Sequence, residues 1–242
     1  MKIKTLYIGF FIKRGFVASF FCGKIENDYA IVCQKLRLHM KVIGITGGVG
    51  AGKSFILEHL EENFSVEIVL TDDLAKELMM PETECNRALQ DAFSSYDVFD
   101  SEGNIVRDKM ASVIFSNQDM LTTMNSIVHP AVKAEVIRKI AKARADKKIS
   151  AFFVESALLI DDHYDEICDE LWYIFTSEEN RRARLKATRG YSDEKVDAIF
   201  ASQLSEDEFR ANTDVVIDNN KDKPDVVKQI DQEMIRLLKE GN

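Results

Sequence analysis

The chain has 242 residues, of which 45% are hydrophobic and 30% are charged, and its formal net charge is −9. Such a chain is long enough for one α/β domain with a sizeable core and a smaller inserted lobe. The acidic balance argues against a protein that coats nucleic acid. The four cysteines show no C-x-x-C pair and no Cys/His cluster. This usage predicts reduced thiols in a cytoplasmic protein, without a disulfide framework or a cysteine-bound metal.

Residues 1–39 differ from the remainder because they are basic and rich in aromatic side chains. Their uncharged runs, 6–12 and 15–23, are separated by Lys13 and Arg14 and fall short of the ~18 residues that span a bilayer. The same charges make a poor signal peptide. We therefore expect no membrane anchor. We interpret 1–39 as an atypical extension, consistent with a start-site error, and 40–242 as the folded domain.

The first motif is the segment 42–54, VIGITGGVGAGKS, where an apolar run becomes rich in glycine and ends in Gly-Lys-Ser. Its spacing, G-x-x-x-x-G-K-S, is that of the phosphate-binding loop, and the helical pattern of 55–60 follows it directly. In such a loop, glycines let backbone N–H groups point at phosphate oxygens. We predict ATP and Mg²⁺ as ligands, with Lys53 reaching the β- and γ-phosphates and the Ser54 hydroxyl on the metal. The predicted nucleotide contacts are Gly48, Gly50, Ala51, Gly52, Lys53, Ser54 and, through its backbone N–H, Phe55.

A second short strand, 67–70, leads into Thr71, Asp72 and a helix over 74–78. Thr71 or Asp72 is a suitable cap for that helix. Ligands of open parallel sheets bind beyond the carboxyl ends of the strands, however. Asp72 is therefore also a candidate to accept a proton from an attacking hydroxyl. The residues alone leave both interpretations open.

Residues 82–146 are predicted to be mostly helical, with helices over 108–115, 117–128 and 131–145 and a tight turn within 97–106. Pro130 suits the first turn of the last helix. His129 before it is by default a capping or packing histidine. This region reads as a helical lobe inserted between strands to hold an acceptor.

Three further strands are predicted over 149–154, 171–175 and 214–217, which makes a parallel sheet of about five strands with helices on both faces. The first of them delivers Glu155 to the end of the sheet that carries the loop. Glu155 is a candidate to hold a Mg²⁺-bound water or to position the acceptor. A capping or solvent-facing acid is the alternative.

A basic helix over 178–188 is out of character for this acidic chain. Such runs usually form a solvated face. Here positions 181 and 184 share one helix face and 189 lies about one turn further on, so the cations Arg181, Arg184 and Arg189 are predicted to close over a triphosphate and stabilise transferring charge, within a lid over 178–203. Asn219 and Asn220 follow the last strand, where they suit either an adenine contact or a turn.

A GTPase switch would need N-K-x-D after a late strand, but Lys223 takes the place of the final Asp in the segment 220–223. The basic helix and the helical lobe favour a small-molecule kinase instead. From Met40 onward the chain resembles the dephospho-CoA kinase family, with Leu70 and Asp161 departing from the family's usual acids. The matching segments are 45–54, 70–76, 127–130, 155–161 and 214–219, together with Arg184, Arg189 and Gln203.

The resemblance implies a P-loop kinase fold and ATP-dependent phosphorylation of the ribose 3′-hydroxyl of dephospho-CoA. It assigns Asp72 to that hydroxyl, with Lys76, His129 and Glu155 on the acceptor side. It also implies a small-molecule substrate, no nucleic acid or membrane partner, and a monomer or small homo-oligomer. Another nucleoside or nucleotide kinase, or a binding module without turnover, are the alternatives.

Overall fold

A parallel five-stranded sheet organises the chain. The computed structural model of the protein describes residues 40–146 and 148–240, so the expectations for residues 1–39 lie outside it. The strands lie in the order β2-β3-β1-β4-β5, and every neighbouring pair is parallel. This confirms the predicted fold class. The strands are β1 (Lys41–Thr46), β2 (Val66–Leu70), β3 (Ala151–Glu155), β4 (Glu170–Phe175) and β5 (Val215–Asp218).

Helices cover both faces of the sheet, because successive strand residues point to opposite sides. Val42 packs in one apolar cluster and Ile43 in another, and Phe152 and Phe153 divide in the same way. The helices are α1 (Lys53–Asn63), α2 (Thr71–Leu78), α3 (Glu84–Ala92), α4 (Arg107–Ser116), α5 (Gln118–Ala145), α6 (Glu178–Arg189), α7 (Asp193–Ala201), α8 (Glu206–Ala211) and α9 (Lys223–Glu240). One cluster takes buried residues from α1 and α9, and the other takes them from α2, α3, α4 and α5.

The helical lobe over 82–146 contains α3, α4 and α5. The predicted turn within 97–106 is present, since Phe99 and Ile105 form an antiparallel bridge and the Val106 N–H donates to the Val98 carbonyl at 2.8 Å. No helix among the described residues has the length and apolarity needed to cross a bilayer.

The predicted helix boundary at Pro130 is wrong, because Pro130 lies inside the continuous helix α5. Proline in a helix interior costs about 3 kcal/mol, since it lacks an N–H and crowds the preceding turn. Four side chains along one face of α5 offset this cost, because each contributes about 2 kcal/mol when buried. They are Val128, Val132, Val136 and Ile140.

The segment 178–203 forms α6 and α7, as predicted, with Gly190 in the left-handed conformation (φ 62°) between them. Helix α8 follows and was not predicted. Its sequence carries a recognisable start signal, because Ser205 and Glu208 form a reciprocal capping box.

The order of the strands brings distant residues together. Strand β3 lies between β1 and β2, in register with Ile45 opposite Glu155 and Glu155 opposite Leu70. The carboxyl ends of β1, β2 and β3 therefore meet at one edge, and the loop after β1 lies at that edge.

Candidate active site

The loop 47–52 joins β1 directly to α1. Gly50 and Gly52 adopt φ values of 83° and 88°, a region that side-chain-bearing residues rarely occupy. Gly52 is the N-cap of α1, with no side-chain cap, so the helix begins at Lys53 with its first N–H groups open. The glycine pattern thus produces the turn that the motif requires.

Several backbone N–H groups of this loop and of the first turn of α1 are open. Within residues 40–146 and 148–240, the N–H groups of Gly50, Gly52, Lys53 and Ser54 have no hydrogen-bond acceptor. Open N–H groups at a helix N-terminus carry positive partial charge and bind anions. These four groups therefore fit the phosphates of a nucleotide.

Two of the predicted contacts are used differently. The Ala51 N–H donates to the Gly48 carbonyl at 3.0 Å, and the Phe55 N–H donates to the Gly52 carbonyl at 3.2 Å. Both bonds stabilise the shape of the loop itself. Nucleotide contacts of Ala51 and Phe55 stay predictions.

The ammonium group of Lys53 lies between the loop and β3. It donates to the Gly47 carbonyl at 2.7 Å and lies 3.4 Å from Glu155 Oε1. Burial raises the pKa of the Glu155 carboxyl, the Lys53 charge opposes that rise, and the charges of Asp72 and Asp73 add to it. Glu155 is therefore the half-buried centre of a cluster of ionisable groups, and its interpretation as a solvent-facing acid or helix cap is wrong.

Asp72 lies exposed in the first turn of α2 and does not cap it. The N-cap is Leu70, which offers no side-chain hydrogen bond. Among the described residues, no hydrogen bond or ion pair uses the Asp72 carboxylate, so it is open to a ligand. Lys76, one turn further on, pairs with Asp73 at 2.6 Å.

The site fits Mg²⁺ only together with a nucleotide. Within the described part of the chain, no group of three His, Cys, Asp or Glu side chains is placed to hold a metal ion. Mg²⁺ commonly takes one or two protein ligands plus substrate phosphates and water. The exposed Ser54 hydroxyl has no hydrogen-bond partner among the described residues, and Glu155 lies beside Lys53. These groups have the chemistry for such a shared site.

The side chains of Arg184 and Asn219 both contact the loop at the carbonyl of Ala51. Arg184 donates to the Ala51 carbonyl at 3.2 Å and to the Asn219 carbonyl at 2.7 Å, and Asn219 Nδ2 donates to the Ala51 carbonyl at 2.6 Å. The Thr176 hydroxyl also donates to this carbonyl, at 2.9 Å. In this conformation they brace the loop, so a triphosphate cover by Arg184 and an adenine contact by Asn219 stay predictions.

The second predicted lid arginine is not part of this brace. Arg189 is exposed at the end of α6, with its guanidinium over the Tyr191 ring at 5.9 Å. Its predicted role would require a different arrangement of the 178–203 segment.

Two further side chains of the 178–203 segment contact the loop, namely Arg181 from the predicted basic face and Gln203, which the resemblance matched without giving it a role. Buried Arg181 donates from Nε to the Val49 carbonyl at 2.9 Å, and Gln203 Oε1 accepts from the Val49 N–H at 3.3 Å. The available signal was helical spacing, since Arg181 shares a face of α6 with Arg184. Nothing in the spacing shows that this face meets the loop.

His129 lies inside α5. Its Nδ1 is 3.1 Å from Asp162 Oδ1, so its interpretation as a helix cap is wrong. Lys133, one turn on, donates to the Asp162 and His163 carbonyls at 2.9 and 3.0 Å. This cluster joins the helical lobe to the segment after β3, and a substrate contact of His129 stays a prediction.

An open phosphate loop carrying Lys53, with carboxylates at the same edge of a parallel sheet, defines a P-loop nucleotide-binding protein of the kinase type. The family model described as dephospho-CoA kinase matches residues 41–225. The chain belongs to the dephospho-CoA kinase family, whose members are ATP-dependent phosphotransferases.

Individual relatives agree with this assignment. A dephospho-CoA kinase of Carboxydothermus hydrogenoformans is 31% identical over 76% of this chain and 87% of the relative. A dephospho-CoA kinase of Streptococcus mutans is 30% identical over 83% of this chain and 99% of the relative. The crystal structure of TT1252 from Thermus thermophilus shares the fold, with a TM-score of 0.69 at 23% identity over 83% of this chain and 98% of that one.

Proposed function

We propose that the protein transfers the γ-phosphoryl group of ATP to the ribose 3′-hydroxyl of dephospho-CoA, giving CoA and ADP. The observation that carries this proposal is the position of Asp72 and Glu155 at the sheet edge that also holds the phosphate loop. We infer that Asp72, as the proton acceptor, serves the donor site from this edge, and the effect of its charge on Glu155 supports that. Membership of the dephospho-CoA kinase family supports the choice of acceptor.

In the proposed reaction, the open N–H groups of the loop bind the ATP phosphates and Lys53 orients the β- and γ-phosphates. The 3′-oxygen forms the new bond to the γ-phosphorus, while the bond to the β,γ-bridging oxygen breaks and ADP leaves. The proton of the 3′-hydroxyl passes to Asp72. Such catalysis depends mainly on positioning and charge stabilisation, with proton removal secondary.

Mg²⁺ is part of the proposal. The Ser54 hydroxyl would hold the ion, and Glu155 would hold one of its bound waters. When bound, the ion neutralises charge on the β- and γ-phosphate oxygens. Both side chains have the oxygen donors that Mg²⁺ prefers.

We assign acceptor binding to the helical lobe over 82–146, with Lys76 and His129, and donor closure to the 178–203 segment, with Arg184 and Arg189. We also infer that the reaction takes place in the cytoplasm, on a small-molecule substrate without a nucleic-acid partner, in a monomer or small homo-oligomer. The net charge of −9 supports the absence of nucleic acid.

The experiment is a comparison of acceptors. The protein is mixed with Mg²⁺-ATP and either dephospho-CoA or a panel of nucleosides and nucleotides, and ADP release is followed while product mass is measured. We expect ADP and a product heavier by one phosphoryl group only with dephospho-CoA. Turnover of a nucleoside alone would overturn the proposal, and ATP binding without turnover of any acceptor would favour a binding module.

A further inference from the structure

Arg181 is a buried cation without a carboxylate partner among the described ion pairs. Its residue is 8% exposed, and Nε donates to the Val49 carbonyl at 2.9 Å. The guanidinium lies over the Phe200 ring, with Cζ 4.3 Å from the ring centroid. Burial lowers the pKa of this guanidinium, with Tyr173 and Glu178 opposing. Burying a charge is unfavourable unless it is hydrogen-bonded, so the contact with the loop is a specific one.

Gln203 completes a closed set of hydrogen bonds around Val49. Its Oε1 accepts from the Val49 N–H at 3.3 Å and also from Arg181 Nη2. The carbonyl and the N–H of Val49 are therefore both held from the 178–203 segment. Two peptide planes, on either side of the Val49 Cα, are fixed by side chains outside the loop.

The direction of the Val49 carbonyl determines the direction of the next N–H. A peptide group is planar and trans, so its C=O and N–H point in opposite directions. Since the Val49 carbonyl points to Arg181, the Gly50 N–H points away from Arg181. That N–H has no acceptor among the described residues. It is one of the four groups assigned above to phosphate binding.

Helix α6 also limits the loop sterically. A Cβ on Gly50 would lie 3.0 Å from Leu185 Cγ and 3.2 Å from the Arg181 carbonyl oxygen. A Cβ on Gly48 would overlap the Arg181 guanidinium, although Gly48 itself does not have a positive φ. The loop therefore packs closely against α6 at both glycines, and the Arg181 side chain occupies the space beside Gly48.

We propose that Arg181 is a positioning residue, which sets the direction of the Val49–Gly50 peptide and so aims the Gly50 N–H at the donor phosphates. Gln203 supports this role, because its Oε1 accepts from both the Val49 N–H and Arg181. The inference rests on the proposed function only in taking ATP as the nucleotide. It makes the orientation of the phosphate loop depend on the 178–203 segment.

The first test is Mg²⁺-ATP binding by titration calorimetry with Arg181→Met, which keeps the apolar packing on Phe200 but removes every donor. We expect the Kd for ATP to rise at least about tenfold, the usual effect of losing a hydrogen bond to a charged group. Arg181→Lys keeps one donor group, so its Kd for ATP should lie between the values of the parent protein and of Arg181→Met. Arg182→Gln is the matched control, since Arg182 pairs with Asp193 and Asp197 at 3.2 and 2.5 Å, and its Kd should stay within about twofold of the parent.

A merely structural role would give a different result. It would lower the Tm of Arg181→Met while leaving the Kd for ATP unchanged at temperatures well below the transition, and that outcome overturns the proposal. In steady-state kinetics we expect the KM for ATP to rise and the KM for the acceptor to stay constant. An equal rise in both would also overturn it.

Gln203→Ala removes the acceptor that holds the Val49 N–H, with a smaller change in packing than Arg181→Met. We expect its Kd for ATP to rise about threefold or more.

The second test is a double-mutant cycle between Gly48 and Arg181. Gly48→Ala should displace the guanidinium and weaken ATP binding about as much as Arg181→Met does. In the Arg181→Met background, Gly48→Ala should weaken it by less than about twofold, because the clash is gone. Independent, multiplicative losses would contradict the proposed contact. Calorimetry needs no acceptor, so these outcomes stand whether or not dephospho-CoA proves to be the substrate.

Discussion

The Lys53 ammonium group and the Glu155 carboxylate lie 3.4 Å apart, although 102 positions separate them in the chain. They meet because β1 and β3 pair with Ile45 opposite Glu155. Together with the Gly47 carbonyl, Glu155 orients the lysine beside the open N–H groups of the loop. The position of Lys53 is thus set by contacts within the protein itself.

Lys53→Ala is expected to reduce both ATP affinity and turnover. The lysine would contact the phosphates in the ground state and in the transition state, and removing one such charged donor costs about 10²–10³-fold in rate. Calorimetry and initial rates of ADP formation measure the two effects. An unchanged Kd for ATP would show that Lys53 serves only Glu155 and the Gly47 carbonyl.

Glu155→Gln is expected to stabilise the fold increasingly as pH rises. The folded pKa of Glu155 is raised by burial, so the stability from this group is present below about 4.3, the ordinary glutamate pKa, and is lost as the pH rises through the raised folded pKa. Glutamine has no charge to bury. Thermal unfolding should show that the gain in Tm of Glu155→Gln over the parent is larger at pH 8 than at pH 5. For a chain of this length, about 1 kcal/mol corresponds to about 2–4 °C. A lower Tm at pH 8 would mean that pairing with Lys53 outweighs burial.

Asp72→Asn is expected to cut kcat by about 10²–10⁴-fold, the usual contribution of a positioned proton acceptor, while the Kd for ATP stays nearly constant. The carboxylate has no protein partner among the described residues, so its loss should leave the fold intact. Glu77→Gln, an exposed carboxylate on the same helix, is the control and should leave kcat unchanged. Full activity of the asparagine variant would remove Asp72 from the mechanism.

Pro130→Ala is expected to raise the free energy of unfolding by about 1–2 kcal/mol. Alanine is favoured over proline in a helix interior by about 3 kcal/mol. The unfolded chain of the alanine variant is more flexible, which offsets about 1 kcal/mol of that gain. Pro130 is exposed within α5, so little packing is lost. Urea unfolding measures the change, and Ala134→Gly on the same helix should destabilise by about 1 kcal/mol. A destabilised alanine variant would show that α5 needs a kink at this point.

Arg236→Gln is expected to destabilise the protein by about 1–2 kcal/mol at neutral pH without changing ATP affinity. Arg236 donates to both carboxylate oxygens of Glu170, at 2.8 and 2.6 Å, at the start of β4 and away from the loop. Burial would raise the pKa of Glu170, but the hydrogen bonds from Arg236 and Trp172 outweigh it and lower the pKa.

The sign of that shift gives the pH dependence. Because the folded pKa is depressed, the stabilisation is present above about pH 4.3 and is lost as the pH falls through the folded pKa. Urea midpoints of the parent and the Arg236→Gln variant should therefore converge on acidification. Lys109→Gln is the control, since Lys109 pairs with Asp97 and both side chains are exposed, so this pair should contribute below about 0.5 kcal/mol. A constant difference across pH would contradict the role of Glu170.

Local chemistry explains how much of the fold was predictable. Glycine spacing, apolar runs and helical periodicity act over a few residues, so the phosphate loop and all five strands were predicted close to their observed positions. Two differences between the predicted and observed helices have opposite causes. At Pro130, tertiary burial of one face of α5 overrode a local helix breaker. At α8, a capping signal at Ser205 precedes a helix of only six residues, which is too short for helical periodicity to indicate.

The nucleotide loop, the parallel α/β class and the kinase family could be predicted without coordinates, because they depend on short ordered motifs. Which side chains surround that loop depends on how distant elements pack. Strand order placed Glu155 beside Lys53, and the docking of α6 turned Arg181 and Arg184 onto the carbonyls of Val49 and Ala51. Helical spacing shows which residues share a face, but what that face meets is set by long-range packing. The set of side-chain contacts that holds the phosphate loop is therefore a property of the fold as a whole.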